Sequence, residues 1–147
     1  KWDGAAWLDI AQIMSITGTG MTKETIDVTT LDSTGGYREF IGSFRDGGDV
    51  ALTMNYTRDG LDQMKADYDS ECPVDYEIVI PDGNRDDPAC TTSLDEELNT
   101  TFQFKGVVTE LPIAVTTDSQ ITMDVTIKVS GKVYVEDGEE STTPTYV

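Results

Sequence analysis

The chain has 147 residues, 37% of them hydrophobic, and no apolar run near the ~20 residues of a membrane-spanning helix, which bounds it to one domain with a core of its own. Its 28 acidic residues against 10 basic give a net charge of −18 and exclude a surface that grips a phosphate backbone, since such grip comes from Lys and Arg releasing counterions. There is no histidine, so the usual general base, the commonest metal ligand and every triad built on Ser–His or Cys–His are missing.

Acidity of this degree fits a saline habitat, a deliberately anionic surface, or both. A fold that lost structure at tens of millimolar salt would support the first. The chain opens on Lys1, and its first residues carry no signal-peptide pattern. Cys72 and Cys90 flank a predicted strand. Without histidine or further cysteine they make no zinc site. A disulfide between them and two free, partly buried thiols are the alternatives, and sequence supplies no geometry to choose.

In chain order, Lys1–Leu8 places Trp2 and Trp7 among small residues, either as a frayed end or as an N-terminal arm whose indoles land on a neighbour. Ile10, Met14 and Ile16 share one predicted strand face that Gln12 interrupts, and Thr17–Gly20 reads as a turn. Thr25–Leu31 alternates apolar and polar as a half-buried strand does. It breaks at Asp32-Ser33-Thr34-Gly35-Gly36. A mixed segment, Tyr37–Arg45, and a second turn, Asp46-Gly47-Gly48, follow. The next strand sets Val50, Leu52, Met54 and Tyr56 on one face, with Asp49, Ala51, Thr53 and Asn55 on the other. A connection over 32–48 is long beside hairpin loops of about 2–5 residues. Its Tyr37, Phe40, Ile41 and Phe44 are costly in water unless something covers them: its own domain or another molecule.

Past Tyr56 the period changes. Leu61, Met64 and Tyr68 share a helical face, Asp59 is a fitting N-cap, and Pro73 lies just beyond the end. Tyr76, Ile78 and Ile80 mark the following strand. Pro81–Asn99 is an acidic loop whose Asp82, Asn84, Asp86 and Asp87 offer a weak metal candidate, lacking the glycine and terminal glutamate of a calcium-binding EF-hand loop. Phe102, Phe104, Gly106 and Val108 form a strand that Pro112 limits. The clearest period-two signal is the last, with Ile121, Met123, Val125, Ile127, Val129, Gly131, Val133 and Val135 alternating against polar neighbours. At ~3.3 Å per residue it would span about 50 Å, as a wall or as a strand bent near Gly131 to serve two sheets. Residues 137–147 read as a tail or arm. The expected fold is mainly β, an antiparallel β-sandwich or barrel of about six to eight strands with one short flanking α-helix, spanning 1–147 as a single domain.

The segments Thr25–Ser33, Gly36–Ile41 and Phe44–Val50, with the alternating strand and short helix after them, give a string that resembles the major tail tube proteins of long-tailed, lambda-like (siphovirus-like) viruses. The resemblance implies a structural virion protein, made in the host cytoplasm, whose six-fold rings each form a β-barrel and stack into a hollow tail tube that conducts viral double-stranded DNA without specific binding. It implies no enzyme activity, no cofactor and no membrane, with the chain itself, a tape measure protein, a tail terminator and baseplate proteins as partners. Residues 32–48 would be the inter-ring loop. Tyr37, Arg38, Glu39, Phe40, Ile41, Phe44, Arg45 and Asp46 would make ring–ring contacts, with Gly35, Gly36, Gly47 and Gly48 as hinges. Asp49, Thr53, Asn55, Thr122, Asp124 and Thr126 are the candidate lumen lining, because an acidic wall lets DNA slide where a basic one would hold it. Lys128 and Lys132 fit a lumen poorly and are expected to pair with carboxylates instead. The competing reading is a secreted or surface β-sandwich adhesin held by calcium at the acidic loop. An enzyme built on paired carboxylates such as Asp86-Asp87 or Glu96-Glu97 ranks last.

Overall fold

A computed structural model describes residues 1–10, 12–18, 20–30, 34–81, 99–115 and 119–137. Five strands form a curled antiparallel sheet in the order β1 (Ile13–Thr17), β4 (Asp49–Asn55), β8 (Thr122–Asp137), β6 (Thr100–Glu110) and β5 (Val74–Ile80). The short β7 (Ile113–Ala114) also pairs with β8, and β2 (Thr22–Asp27) and β3 (Phe40–Asp46) form a separate two-stranded ribbon. Inside the curl lie Val50, Leu52 and Met54 of β4, Met123, Val125, Ile127 and Val129 of β8, Phe104 and Val108 of β6, and Tyr76 of β5. The odd-numbered face of β8 and the even-numbered face of β4 are thus the core faces their alternation predicts. Ile13 and Ile16 of β1 and Ile78 of β5 border one small cavity, so the two outermost strands of the sheet approach each other across the core.

Helix α1 (Arg58–Tyr68) closes one side with Met64 fully buried. Its cap is Thr57, whose side-chain oxygen accepts from Gly60 N at 3.1 Å, so the Asp59 cap assignment is corrected. Asp59 lies instead in the first turn, where a carboxylate favours the helix dipole. Tyr68, placed on the core face by its spacing, is half exposed, and Asp67 is buried in its stead. The reason is a polar cluster. Asp67 accepts from Tyr76 Oη at 2.9 Å and pairs with Lys1 Nζ at 2.6 Å.

That cluster also ties down Lys1–Leu8, expected as a frayed end or as an arm whose indoles land on a neighbour. The segment folds back: Trp2 N donates to Asp75 O at 2.8 Å, and the indoles of Trp2 and Trp7 meet edge to face at 5.4 Å. In β1, Ile13 opposes Met54 while Ser15 opposes Thr53, so one extra residue is bulged out. The bulge puts Ile13 on the core side with Ile10 and Ile16, and Met14 is exposed instead of sharing their face. Ile80, expected beside Tyr76 and Ile78, runs past the core and is exposed.

Strand β8 keeps its sixteen residues, but it serves one sheet rather than two. It does bend near Gly131: Gln103 opposes Tyr134 and Lys105 opposes Ser130, so β8 carries extra residues around Gly131, whose φ of 89° suits glycine. Pro112 lies just past the end of β6. Strand β6 stops at Glu110, and Pro112 O accepts from Asp124 N at 3.0 Å, steering β7 onto β8. Cys72 is exposed with a free thiol. Cys90, the Asp82, Asn84, Asp86 and Asp87 candidate, Glu96-Glu97 and residues 138–147 lie outside the described residues. Among the described residues no acidic or thiol cluster could hold a metal.

Candidate functional site: an apolar arm and a polar sheet face

The segment expected as a half-buried strand followed by a loop is one antiparallel ribbon. Thr22 opposes Asp46, Ile26 opposes Ile41 and Asp27 opposes Phe40. Val28 N donates to Glu39 O at 2.9 Å, which carries the ladder one step beyond the named strands. Asp27 Oδ1 accepts from Thr29 N, and Thr29 Oγ1 accepts from Glu39 N, so side chains finish the ribbon where the ladder ends. Asp27 and Asp46 each accept backbone N–H groups two residues on, and both carboxyls are held below the usual range. The Thr29 hydroxyl does most at Asp27, the Gly48 N–H at Asp46. The expected 32–48 loop is therefore half strand: β3 occupies 40–46, and the turn is confined to the far end.

Every residue of β2 is exposed in the single chain. Tyr37 is 78% exposed, Phe44 83%, Phe40 55% and Ile41 53%. Met21, Ile26 and Val28, outside the expected contact set, are exposed beside them. Exposed apolar side chains gathered on both faces of one projecting ribbon mark an interaction surface. Among the described residues Arg38 and Arg45 make no ion pair within the chain, and Arg45 stands directly opposite Lys23. Gly35, Gly36 and Gly48 all have φ near +70°, so the tip and the return into β4 use backbone that glycine alone takes without strain. Gly47 serves differently. It is buried, and a Cβ there would come within 2.4 Å of Val129 Cγ1. Close packing, rather than hinge freedom, accounts for it.

The second surface is the outer face of β4 and β8. Cross-strand register sets Asp49 opposite Lys128, Ala51 opposite Thr126, Thr53 opposite Asp124 and Asn55 opposite Thr122. The lumen candidates thus lie on one face, opposite the core. Thr53 Oγ1 donates to Asp124 Oδ1 at 2.8 Å, and Asn55 is linked to Gln12 and Gln120. Lys128 Nζ pairs with Asp49 at 3.3 Å and Asp46 at 3.5 Å, the expected pairing with carboxylates. Lys132 does not follow that expectation: its ammonium lies 4.3 Å from the Tyr134 ring centre, a cation–π contact.

The fold and these surfaces define a class: a curled antiparallel β-domain that projects an apolar ribbon from its body. The family described as phage tail tube, TTP, lambda-like matches residues 3–138, and the chain belongs to it. It is a structural component of a virion tail. No curated protein matches the chain. Among solved structures it is similar to a chain in the tail of an empty gene transfer agent particle, refined with C6 symmetry (TM-score 0.63, 19% identity, 86% of this chain and 84% of that one). It is also similar to one in the virion of the native particle (0.63, 20%, 86% and 86%) and one in the sheath–tube complex of an extracellular contractile injection system (0.58, 14%, 85% and 80%).

Proposed function

We propose that this chain assembles into six-fold rings that stack as a hollow tube, with the β2–β3 arm of each copy reaching the adjacent ring. The observation that carries this reading is the exposed apolar ribbon, with Tyr37 and Phe44 about four-fifths in solvent on a chain whose body already has a closed core. Joining unlike surfaces head to tail propagates instead of closing, and the arm supplies the unlike surface. The gene transfer agent tail with C6 symmetry supports the ring number. The outer face of β4 and β8 lines the channel. Asp49 and Asp124 lie on it, and Lys128 is neutralised by Asp46 and Asp49, so along the paired register from Asp49–Lys128 to Asn55–Thr122 passing double-stranded DNA meets carboxylates and paired charge. A terminator and a cap occur among the similar structures, which supports partners at the tube ends, with a tape measure protein and a baseplate completing the set. The protein acts by assembly and not by catalysis.

Electron microscopy of concentrated protein tests the reading. The expected result is hollow tubes with six-fold end views. A protein that stays monomeric across concentration and salt overturns it.

A further inference from the structure

We propose that the hollow at the base of the arm, between β3 and the bend of β8, is the socket that receives the arm tip of a second copy of this chain. The inference rests on the stacked-ring reading and names the surface on which the arm lands.

The hollow encloses about 390 Å³, within the usual range of roughly 300–1,000 Å³ for ligand-sized clefts. Met21, Gly47, Val129 and Val133 give it an apolar lining, to which Arg45 and Lys132 add positive charge. Two local features create it. Gly47 packs so tightly on Val129 that no side chain fits between them, which draws the arm's root onto β8. At the bend of β8, Gly131 leaves open space, since a Cβ there would meet nothing within 4 Å.

The arm cannot fill its own socket. Its ladder runs from Thr22–Asp46 at the root to Val28–Glu39, a span of about 20 Å at ~3.3 Å per residue, and Tyr37 lies beyond that. One element therefore carries an apolar tip at one end and an apolar hollow at the other. A second copy displaced along the arm brings the two together.

The chemistry of the two ends matches. Tyr37 and Phe40 are exposed apolar groups suited to the lining, and the carboxylate of Glu39 between them suits Arg45 and Lys132. Arg38 on the tip suits Asp46, which lines the same hollow. In a chain of net charge −18, a hollow bearing two cations is selective for such a tip. The acidic segment 138–147 is the rival occupant on the same charge logic.

The test begins with wild-type tubes and their critical concentration. Met21→Glu and Lys132→Glu alter exposed socket residues, and Glu39→Lys alters the tip. Each is expected to raise the critical concentration roughly tenfold or more, about 1.4 kcal/mol per contact, while leaving the thermal midpoint of the monomer unchanged. Combining Glu39→Lys with Lys132→Glu is expected to restore assembly, which a merely structural effect at either site would not do. A chain with Tyr37→Ser and Phe40→Ser keeps its socket, and Met21→Glu keeps its tip. Mixed, they should form finite complexes by sedimentation, although neither assembles alone. Socket variants that build tubes at the wild-type concentration overturn the proposal and leave the tube reading standing. Truncation after Asp137 that abolishes tubes, with Glu39→Lys harmless, gives the socket to the 138–147 segment and also overturns it. A wild type that never leaves the monomer overturns both.

Discussion

Lys128 Nζ lies 3.3 Å from Asp49 Oδ1, and the two residues are direct partners across β4 and β8. The hydrogen bond to Asp49, followed by the nearby Asp46 charge, raises the pKa of Lys128 above the usual lysine value near 10.5. A folded pKa above the unfolded one gives stability that is complete below the unfolded value and lost as pH rises through the folded one. Lys128→Met should therefore lower the urea midpoint slightly at neutral pH, and the difference from wild type should fade as the solution becomes strongly alkaline. The effect is small because both side chains are about half exposed to solvent. A difference that grew with alkali would contradict the pairing.

Asp67 is buried and joins Lys1 to Tyr76. Asp67→Ala strands a buried ammonium and a hydroxyl, and the expected loss is about 3 kcal/mol. Tyr76→Phe, which keeps the ring stacked on Phe104 and removes one hydrogen bond, should cost about 1 kcal/mol. Urea unfolding with unchanged m-values measures both. Equal losses would mean that the ion pair contributes nothing.

Capping at the helix start separates two neighbouring residues. Thr57→Ala removes the acceptor for Gly60 N and should cost about 1 kcal/mol, whereas Asp59→Ala loses only a dipole contact worth ~0.3–1 kcal/mol. Thermal unfolding of the two variants side by side ranks them. The reverse order would restore Asp59 as the cap.

Gly47→Ala places a methyl 2.4 Å from Val129 Cγ1 and 2.9 Å from its Cβ, both on a core strand. Overpacking of this kind should cost about 1–3 kcal/mol, read as a lowered denaturation midpoint. At Gly131 space is open, so Gly131→Ala meets only the strain of positive φ, about 1 kcal/mol.

On the arm, Phe44→Ser should leave folding within about 0.5 kcal/mol of wild type, because the ring is in water in the single chain. Tube yield, counted in micrographs at fixed concentration, should fall by an order of magnitude or more. Unfolding of this variant, rather than loss of tubes, would place Phe44 in the core.

In β4 and β8, period-two alternation identifies the buried face. Val50, Leu52 and Met54 and the odd positions of β8 from Met123 to Val129 are all core, and their polar neighbours all face outward. The alternation of Thr25–Leu31 carries the same signal and predicts the same half-buried strand. A ribbon exposed in the single chain and a strand covered by its own domain share one pattern, because period two reports the spacing of apolar side chains and not what covers them.

By itself, then, the sequence determined the β class, the helix after Tyr56, the long bent strand and the presence of an apolar element needing cover. All of these follow from local periodicity and backbone preference. Only the tertiary structure decided that β2 and β3 pair with each other away from the body, that Lys1 returns to Asp67, and that Thr57 caps the helix. It also decided that Asp49 and Lys128 meet across two strands. Those are contacts between residues distant in sequence, or choices between equivalent neighbours. They are fixed by register and packing rather than by any single stretch of chain.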